Sequence, residues 1–122
     1  MPRFLSSVPT FLVSDVAQTA KWYEDTLGFR ASSFPKRAPY VYASLQSDGA
    51  EIMLLRQEGY RKSQVQREGG AWDAYIRVKD VQVLYEEVRQ RIPVKSELTT
   101  RPYGDTEFEV VDPNGYVLVF GG

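Results

Sequence analysis

The chain is written twice. Val13-Ser14-Asp15-Val16 returns as Val78-Lys79-Asp80-Val81 at an offset of 65, and Gly49 has a counterpart in Gly115 at an offset of 66. A fixed offset marks one supersecondary unit used more than once. In the first copy, residues 7 to 14, SVPTFLVS, read as a strand, with Pro9 near its start where a missing N–H is tolerated. Asp15 then has the chemistry of an N-cap, with Gln18 in capping-box position. Val16, Ala20, Tyr23 and Leu27 fall on one helix face, and Gly28 is a natural stop. Strands are expected over 29–34, 40–46 and 50–56, the last two joined by the hairpin signal SDGA.

The second copy repeats this order. DAYIRV (73–78) reads as a strand. Asp80 is expected to cap a helix carrying Val81, Leu84, Val88 and Ile92, which Pro93 ends. Strands follow over 95–100, 106–111 and 116–120, the last two joined by Asp112-Pro113-Asn114-Gly115. Between the copies runs the polar stretch QEGYRKSQVQREGGA, a connector flanked by Tyr60 and Trp72, which read either as a lid or as loop anchors. The expected boundaries are module one 4–57, connector 58–71 and module two 72–122, together one domain. A single helix shields only one face of its sheet. Two βαβββ modules side by side therefore give an α+β fold, a curved mixed sheet with helices outside and inner faces lining a cleft.

Composition narrows the function. The 122 residues suffice for one compact domain. Fifteen basic and 16 acidic residues give a net charge of −1. That offers no electrostatic reason to expect nucleic acid or an acidic membrane as partner. No apolar run approaches the roughly 18 residues that span a bilayer. MPRFLSSVPT lacks the apolar core of a signal peptide. The cysteine count is zero, which excludes disulfides and thiolate chemistry, and a cytoplasmic location is the default expectation. Histidine is also absent. Ser-His-Asp and Cys-His nucleophile systems cannot be built, and the commonest zinc, iron and nickel ligand is missing.

WYEDTLGF (22–29), the DGAEIMLL strand, DPNGYVLVF and the strand-Asp-helix openings resemble the vicinal oxygen chelate superfamily. That group includes glyoxalase I, extradiol dioxygenases and the fosfomycin- and bleomycin-resistance proteins. AYIRVKDVQVLYEEV and YGDTEFEVVDPNG are similar to the bleomycin-resistance subgroup in particular. The resemblance implies a cleft usually completed by a second subunit, hence a twofold homodimer. It also implies where a metal would be held: at Val8 and Asp73 on the first strand of each module, and at Met53 and Val119 after each hairpin. Only Asp73 offers an oxygen ligand, and even with Glu51 the donor set is thin. The expectation is a metal-free site and no cofactor.

If 8, 53, 73 and 119 face inward, strand alternation brings Thr10, Leu12, Leu55, Tyr75, Arg77 and Val117 with them. Phe11, Val13, Ile52, Leu54, Ala74, Ile76, Leu118 and Phe120 then pack under the helices. The candidate ligand-binding residues are Tyr40, Tyr42, Met53, Leu55, Asp73, Tyr75, Arg77, Tyr103 and Val119. Asp73 and Arg77 also have a plain reading, as partners of each other or of Glu51 or Glu109. Tyr40 and Tyr42 also read as ordinary half-buried strand tyrosines. Three functions fit. One is a small-molecule binder that gives resistance by sequestering an antibiotic or other aromatic natural product. Another is a lyase, isomerase or dioxygenase-like enzyme with Asp73 or Glu51 as base. The third is a scaffold with a vestigial cleft.

Overall fold

A computed structural model describes residues 2–61 and 71–122. Most of the expected connector, 58–71, lies outside the described residues. The elements are β1 (Thr10–Val13), α1 (Val16–Leu27), β2 (Arg30–Phe34), β3 (Tyr42–Ser47) and β4 (Ala50–Arg56). They are followed by β5 (Ala74–Arg77), α2 (Val81–Val88), β6 (Ser96–Thr100), β7 (Thr106–Val111) and β8 (Val117–Gly121). Each module forms its own four-stranded mixed sheet, in the orders β1-β4-β3-β2 and β5-β8-β7-β6. The first pair in each is parallel and the rest antiparallel. The duplication therefore extends to topology. It extends to register as well, since Thr10 pairs with Met53 as Tyr75 pairs with Val119. The eight strands stay in two sheets and do not merge into one.

Helix α1 follows its sequence signals closely. The Asp15 carboxylate accepts the Gln18 N–H at 3.0 Å. Gly28 takes φ 75°, where a side chain would be strained. The Phe29 N–H then reaches back to the Tyr23 carbonyl. Helix α2 departs from them. Asp80 adopts φ 61° and makes no side-chain cap hydrogen bond, because an N-cap needs extended backbone for its oxygen to turn toward the first turn's N–H groups. The regular helix stops at Val88, although the Ile92 N–H still bonds the Val88 carbonyl, which keeps Ile92 against the core. Strand β1 also begins later than expected, at Thr10 rather than Ser7.

One core joins the modules. Phe11, Val13, Ile52, Leu54, Leu118 and Phe120 are buried in it, as alternation required. Phe11 stacks on Tyr116 at 4.1 Å between ring centroids. The Asp-Pro-Asn-Gly turn is the clamp between the halves. Asp112 Oδ1 accepts the N–H groups of Asn114 and Tyr116, while its Oδ2 accepts the Tyr23 hydroxyl of α1 at 2.8 Å. Asn114 Nδ2 donates to Thr19 Oγ1 at 3.0 Å, and the Tyr116 hydroxyl donates to the Leu12 carbonyl at 2.7 Å. Burial raises the Asp112 carboxyl above its ordinary value, and burial beside Asp112 raises the Tyr23 phenol strongly. Tyr60 packs on this core, which makes it an anchor of the chain leaving module one.

Candidate functional site

The two sheets carry different surfaces on the faces turned away from the helices. On the first sheet, the register sets Tyr42 beside Leu55 and Ser44 beside Met53, with Thr10 flanking Met53 and Leu12 flanking Leu55. Tyr42 and Met53 are half-buried, and Leu55 is exposed. The result is an open apolar face with a polar end, where the Ser44 hydroxyl donates to Glu51 Oε2 at 2.7 Å and Gln46 Nε2 donates to Ser44 at 3.2 Å.

On the second sheet the same face is roofed by charge. Glu107 is fully buried and Glu109 nearly so. Ionised carboxylates at such depth need compensation. The Glu107 Oε2 accepts the hydroxyls of Tyr75 at 2.8 Å and Tyr103 at 2.6 Å, and its Oε1 accepts Arg101 Nε at 3.3 Å. Glu109 pairs with Lys95 at 3.3 Å and with Arg101 Nη2 at 3.7 Å. The Tyr75 hydroxyl also lies 2.8 Å from Asp105 Oδ2, which pairs with Arg77 at 3.4 Å. One hydroxyl proton serves two carboxylates here, so Tyr75 can satisfy only one of them at a time. Burial, then its bonds with Glu107 and Asp105, pushes the Tyr75 phenol well above its ordinary value. The hydrogen bond to Glu107 raises Tyr103 too. Gly121 makes the arrangement possible, since a Cβ there would lie 2.0 Å from the Tyr75 hydroxyl oxygen and 3.1 Å from Glu107 Cγ.

Aromatic rings edge this roof. Trp72 lies 5.6 Å from the Tyr75 ring, and the Arg77 guanidinium sits over Tyr75 at 5.4 Å from its centroid. Trp72 and Tyr103 are 45% and 61% exposed. Tyr75, Arg77 and Tyr103 are among the residues expected from the sequence, whereas Glu107, Asp105, Arg101 and Lys95 are not, and Glu109 is expected only as a partner. The signal was present in TEFEVV, where alternation puts both glutamates on the face opposite Phe108 and Val110.

The other expected residues fall as follows. Val119 is fully buried beneath this roof. The Asp73 carboxylate accepts the Val117 N–H at 2.8 Å. Tyr40, expected beside Tyr42, lies against α1 in a groove with Ala20, Glu24 and Lys36. Strand β3 begins only at Tyr42, so alternation does not extend back to Tyr40. The face holding Tyr42, Met53 and Leu55 and the face holding Tyr75, Tyr103 and Val119 are joined by no hydrogen bond among those described. Glu51, Tyr75 and Arg77 do border a third feature, a cavity of about 1000 Å³ between the modules. Its apolar walls are helix-side residues, among them Leu27, Phe29, Ile52, Ile76, Leu84 and Phe120.

The metal positions inferred from the resemblance can be tested on donor chemistry. Two are aliphatic, one is a thioether, and the one carboxylate, Asp73, holds a backbone N–H. This set does not fit a divalent cation. Among the described residues there is no grouping of three or more His, Cys, Asp or Glu side chains placed to hold a metal.

The family model described as "Glyoxalase/Bleomycin resistance protein/Dioxygenase superfamily" matches residues 7–120. No curated protein matches the chain. Among solved structures, TioX from Micromonospora sp. ML1 is 21% identical, with a TM-score of 0.73 over 96% of this chain and 94% of that one. A glyoxalase-related enzyme from Clostridium phytofermentans is 16% identical, with a TM-score of 0.77 over 98% and 95%. At these identities the likeness shows the fold alone. The bleomycin-binding protein of bleomycin-producing Streptomyces verticillus, complexed with copper(II)-bleomycin, is 25% identical, with a TM-score of 0.74 over 98% of this chain and 97% of that one.

Proposed function

Because the chain belongs to the glyoxalase/bleomycin resistance protein/dioxygenase superfamily, we propose that it binds an organic small molecule without the help of a metal ion, and that it does so as a twofold homodimer. The observation that carries this reading is the open face of the first sheet. Tyr42, Met53 and Leu55 are brought together by register alone, with the Glu51-Ser44-Gln46 group at one end to fix a polar substituent. A mostly apolar surface with a few placed polar groups is what holds drug-sized molecules. The likeness to a protein complexed with copper(II)-bleomycin supports a ligand of the antibiotic or aromatic natural-product kind, and resistance by sequestration as the consequence. The roof around Glu107 on the second sheet, with Trp72, Tyr75 and Tyr103 at its edge, is the surface a partner copy would set opposite that face. An enzyme using Asp73 or Glu51 as base is less well supported, since both carboxylates already accept hydrogen bonds from their own sheet.

A thermal-shift screen of aromatic natural products, with metal-free and copper(II)-loaded bleomycin included, tests the reading. A true ligand at 100 times its dissociation constant stabilises the fold by about 2.7 kcal/mol. The shift should shrink in Tyr42→Ala and Leu55→Asp. If no compound raises the melting temperature, or the shift survives both substitutions, the reading is wrong.

A further inference from the structure

The Asp-Pro-Asn-Gly turn holds a chemically labile group at the joint between the modules. Asn114 is the chain's single asparagine, and glycine follows it. An asparagine before glycine is prone to spontaneous deamidation, because glycine has no Cβ to hinder the next backbone nitrogen as it closes on the side-chain carbonyl carbon. In the fold that nitrogen is restrained. The Gly115 N–H is held by the Asp112 carbonyl at 3.0 Å, and Gly115 is buried. Asn114 is restrained too, since its Nδ2 donates to Thr19 Oγ1 at 3.0 Å and its own N–H donates to Asp112 Oδ1 at 2.8 Å. The attacking nitrogen and the carbon it attacks are tied to different partners, so ring closure requires the clamp to let go.

The clamp also dictates which group can stand at position 114. Thr19 has one hydroxyl proton, and it goes to the Asp15 carbonyl at 2.8 Å. Its oxygen therefore meets Asn114 only as an acceptor. An amide N–H suits that place, and a carboxylate oxygen does not. Asp112, 4% exposed, already sets one carboxylate in the same turn. Its oxygens are committed to Asn114, Tyr116 and Tyr23. A second negative charge beside it would be repelled.

We propose that Asn114 is a modification site gated by the clamp. When α1 and the turn part, Asn114 deamidates, and the aspartate or isoaspartate formed no longer fits against Thr19, so the joint between the modules is loosened irreversibly. In this step the Gly115 nitrogen gives up its proton to a solvent base and bonds to Asn114 Cγ. The Cγ–Nδ2 bond breaks, and the amide nitrogen leaves as ammonia. The cyclic imide takes up one water and opens on either side, giving aspartate or isoaspartate. The net change converts one amide and one water into one carboxylate and one ammonium ion. The reaction needs neither a ligand nor a second copy of the chain.

The experiment ages the full chain in mildly alkaline buffer and follows the peptide containing Asn114 by mass spectrometry. The folded wild type should deamidate at least about tenfold more slowly than the same chain in denaturing urea. Thr19→Val keeps the side chain's shape but removes the acceptor. It should speed the reaction about fivefold, the effect of one lost hydrogen bond on the open population. Thr19→Ser keeps the hydroxyl and should leave the rate near that of the wild type. Asn114→Asp, which installs the product, should keep the circular dichroism spectrum and unfold at a lower urea midpoint. In a Thr19→Val background that difference should shrink. Equal rates in folded and unfolded chains, or equal acceleration by valine and serine at position 19, overturns the gate. An Asn114→Asp chain as stable as the wild type overturns the loosening.

Discussion

Gly121→Ala tests the architecture of the Glu107 roof. The added methyl would sit 2.0 Å from the Tyr75 hydroxyl oxygen, 2.6 Å from its Cζ and 3.1 Å from Glu107 Cγ. Tyr75 is hydrogen-bonded at that oxygen, so it cannot swing aside without releasing the buried glutamate. Overpacking costs about 1–3 kcal/mol. A buried carboxylate that loses one donor costs about 1–3 kcal/mol more. Gly121 does not adopt a left-handed backbone, so stiffening of the unfolded chain returns about 0.4–1 kcal/mol. The midpoints of these ranges combine to a loss of about 3 kcal/mol, read from urea unfolding as a lower midpoint at unchanged slope. In a Tyr75→Leu background the two closest contacts are gone, and the same substitution should cost about 1 kcal/mol or less. An equal cost in both backgrounds would show that the Tyr75–Glu107 contact across Gly121 is not what excludes a side chain there.

Other consequences follow from the inter-module clamp and the first helix. Tyr23 has its phenol raised above 10.0 by burial beside Asp112. Its contribution to stability is complete below the unfolded value and is lost as pH climbs beyond it, so Tyr23→Phe should flatten the alkaline fall in unfolding free energy; an unchanged alkaline limb would contradict the clamp. Asp112, also raised, from 3.8, adds stability on the acid side as pH drops through its folded value. Subtracting an Asp112→Asn profile from the wild type should reveal a difference that grows toward low pH, and one that shrinks would reverse the assigned sign. Asp15→Ala removes the cap on the Gln18 N–H and should cost about 1 kcal/mol, whereas Asp80→Ala loses no cap bond but puts Ala on a left-handed backbone, so Asp80→Gly should be tolerated better than Asp80→Ala in the same denaturation assay.

The sequence made the strands and the duplication legible because both depend on local pattern. Alternation named Phe11, Val13, Ile52, Leu54, Leu118 and Phe120 as buried, and they are; Ala74 and Ile76, named with them, are only half-buried, and in β8 both faces are buried, so alternation there does not separate core from cleft. The capping of α1 was equally legible, because an Asp with extended backbone and a Gly at the far end are local chemistry. Asp80 misled for the complementary reason: its residue type suits a cap, but the chain turns through φ 61° there, and residue type alone does not show that. The cluster around Glu107 was hidden by distance along the chain. Arg101, Tyr103 and Asp105 lie just before Glu107 in the chain, but Tyr75 comes from β5, and the pairing of β8 with both β5 and β7 brings it to the same carboxylate.

If the open face of the first sheet holds an organic molecule through apolar and aromatic contact, as proposed, binding needs no chelated metal. Isothermal titration of chelator-treated protein tests it most directly. The titrant is the compound giving the greatest melting shift, tested with and without added nickel, zinc, iron(II) or copper(II). One dissociation constant is expected throughout, weakened by Tyr42→Ala and by Leu55→Asp. Binding that appears only when a divalent cation is restored, at one ion per site, would contradict it.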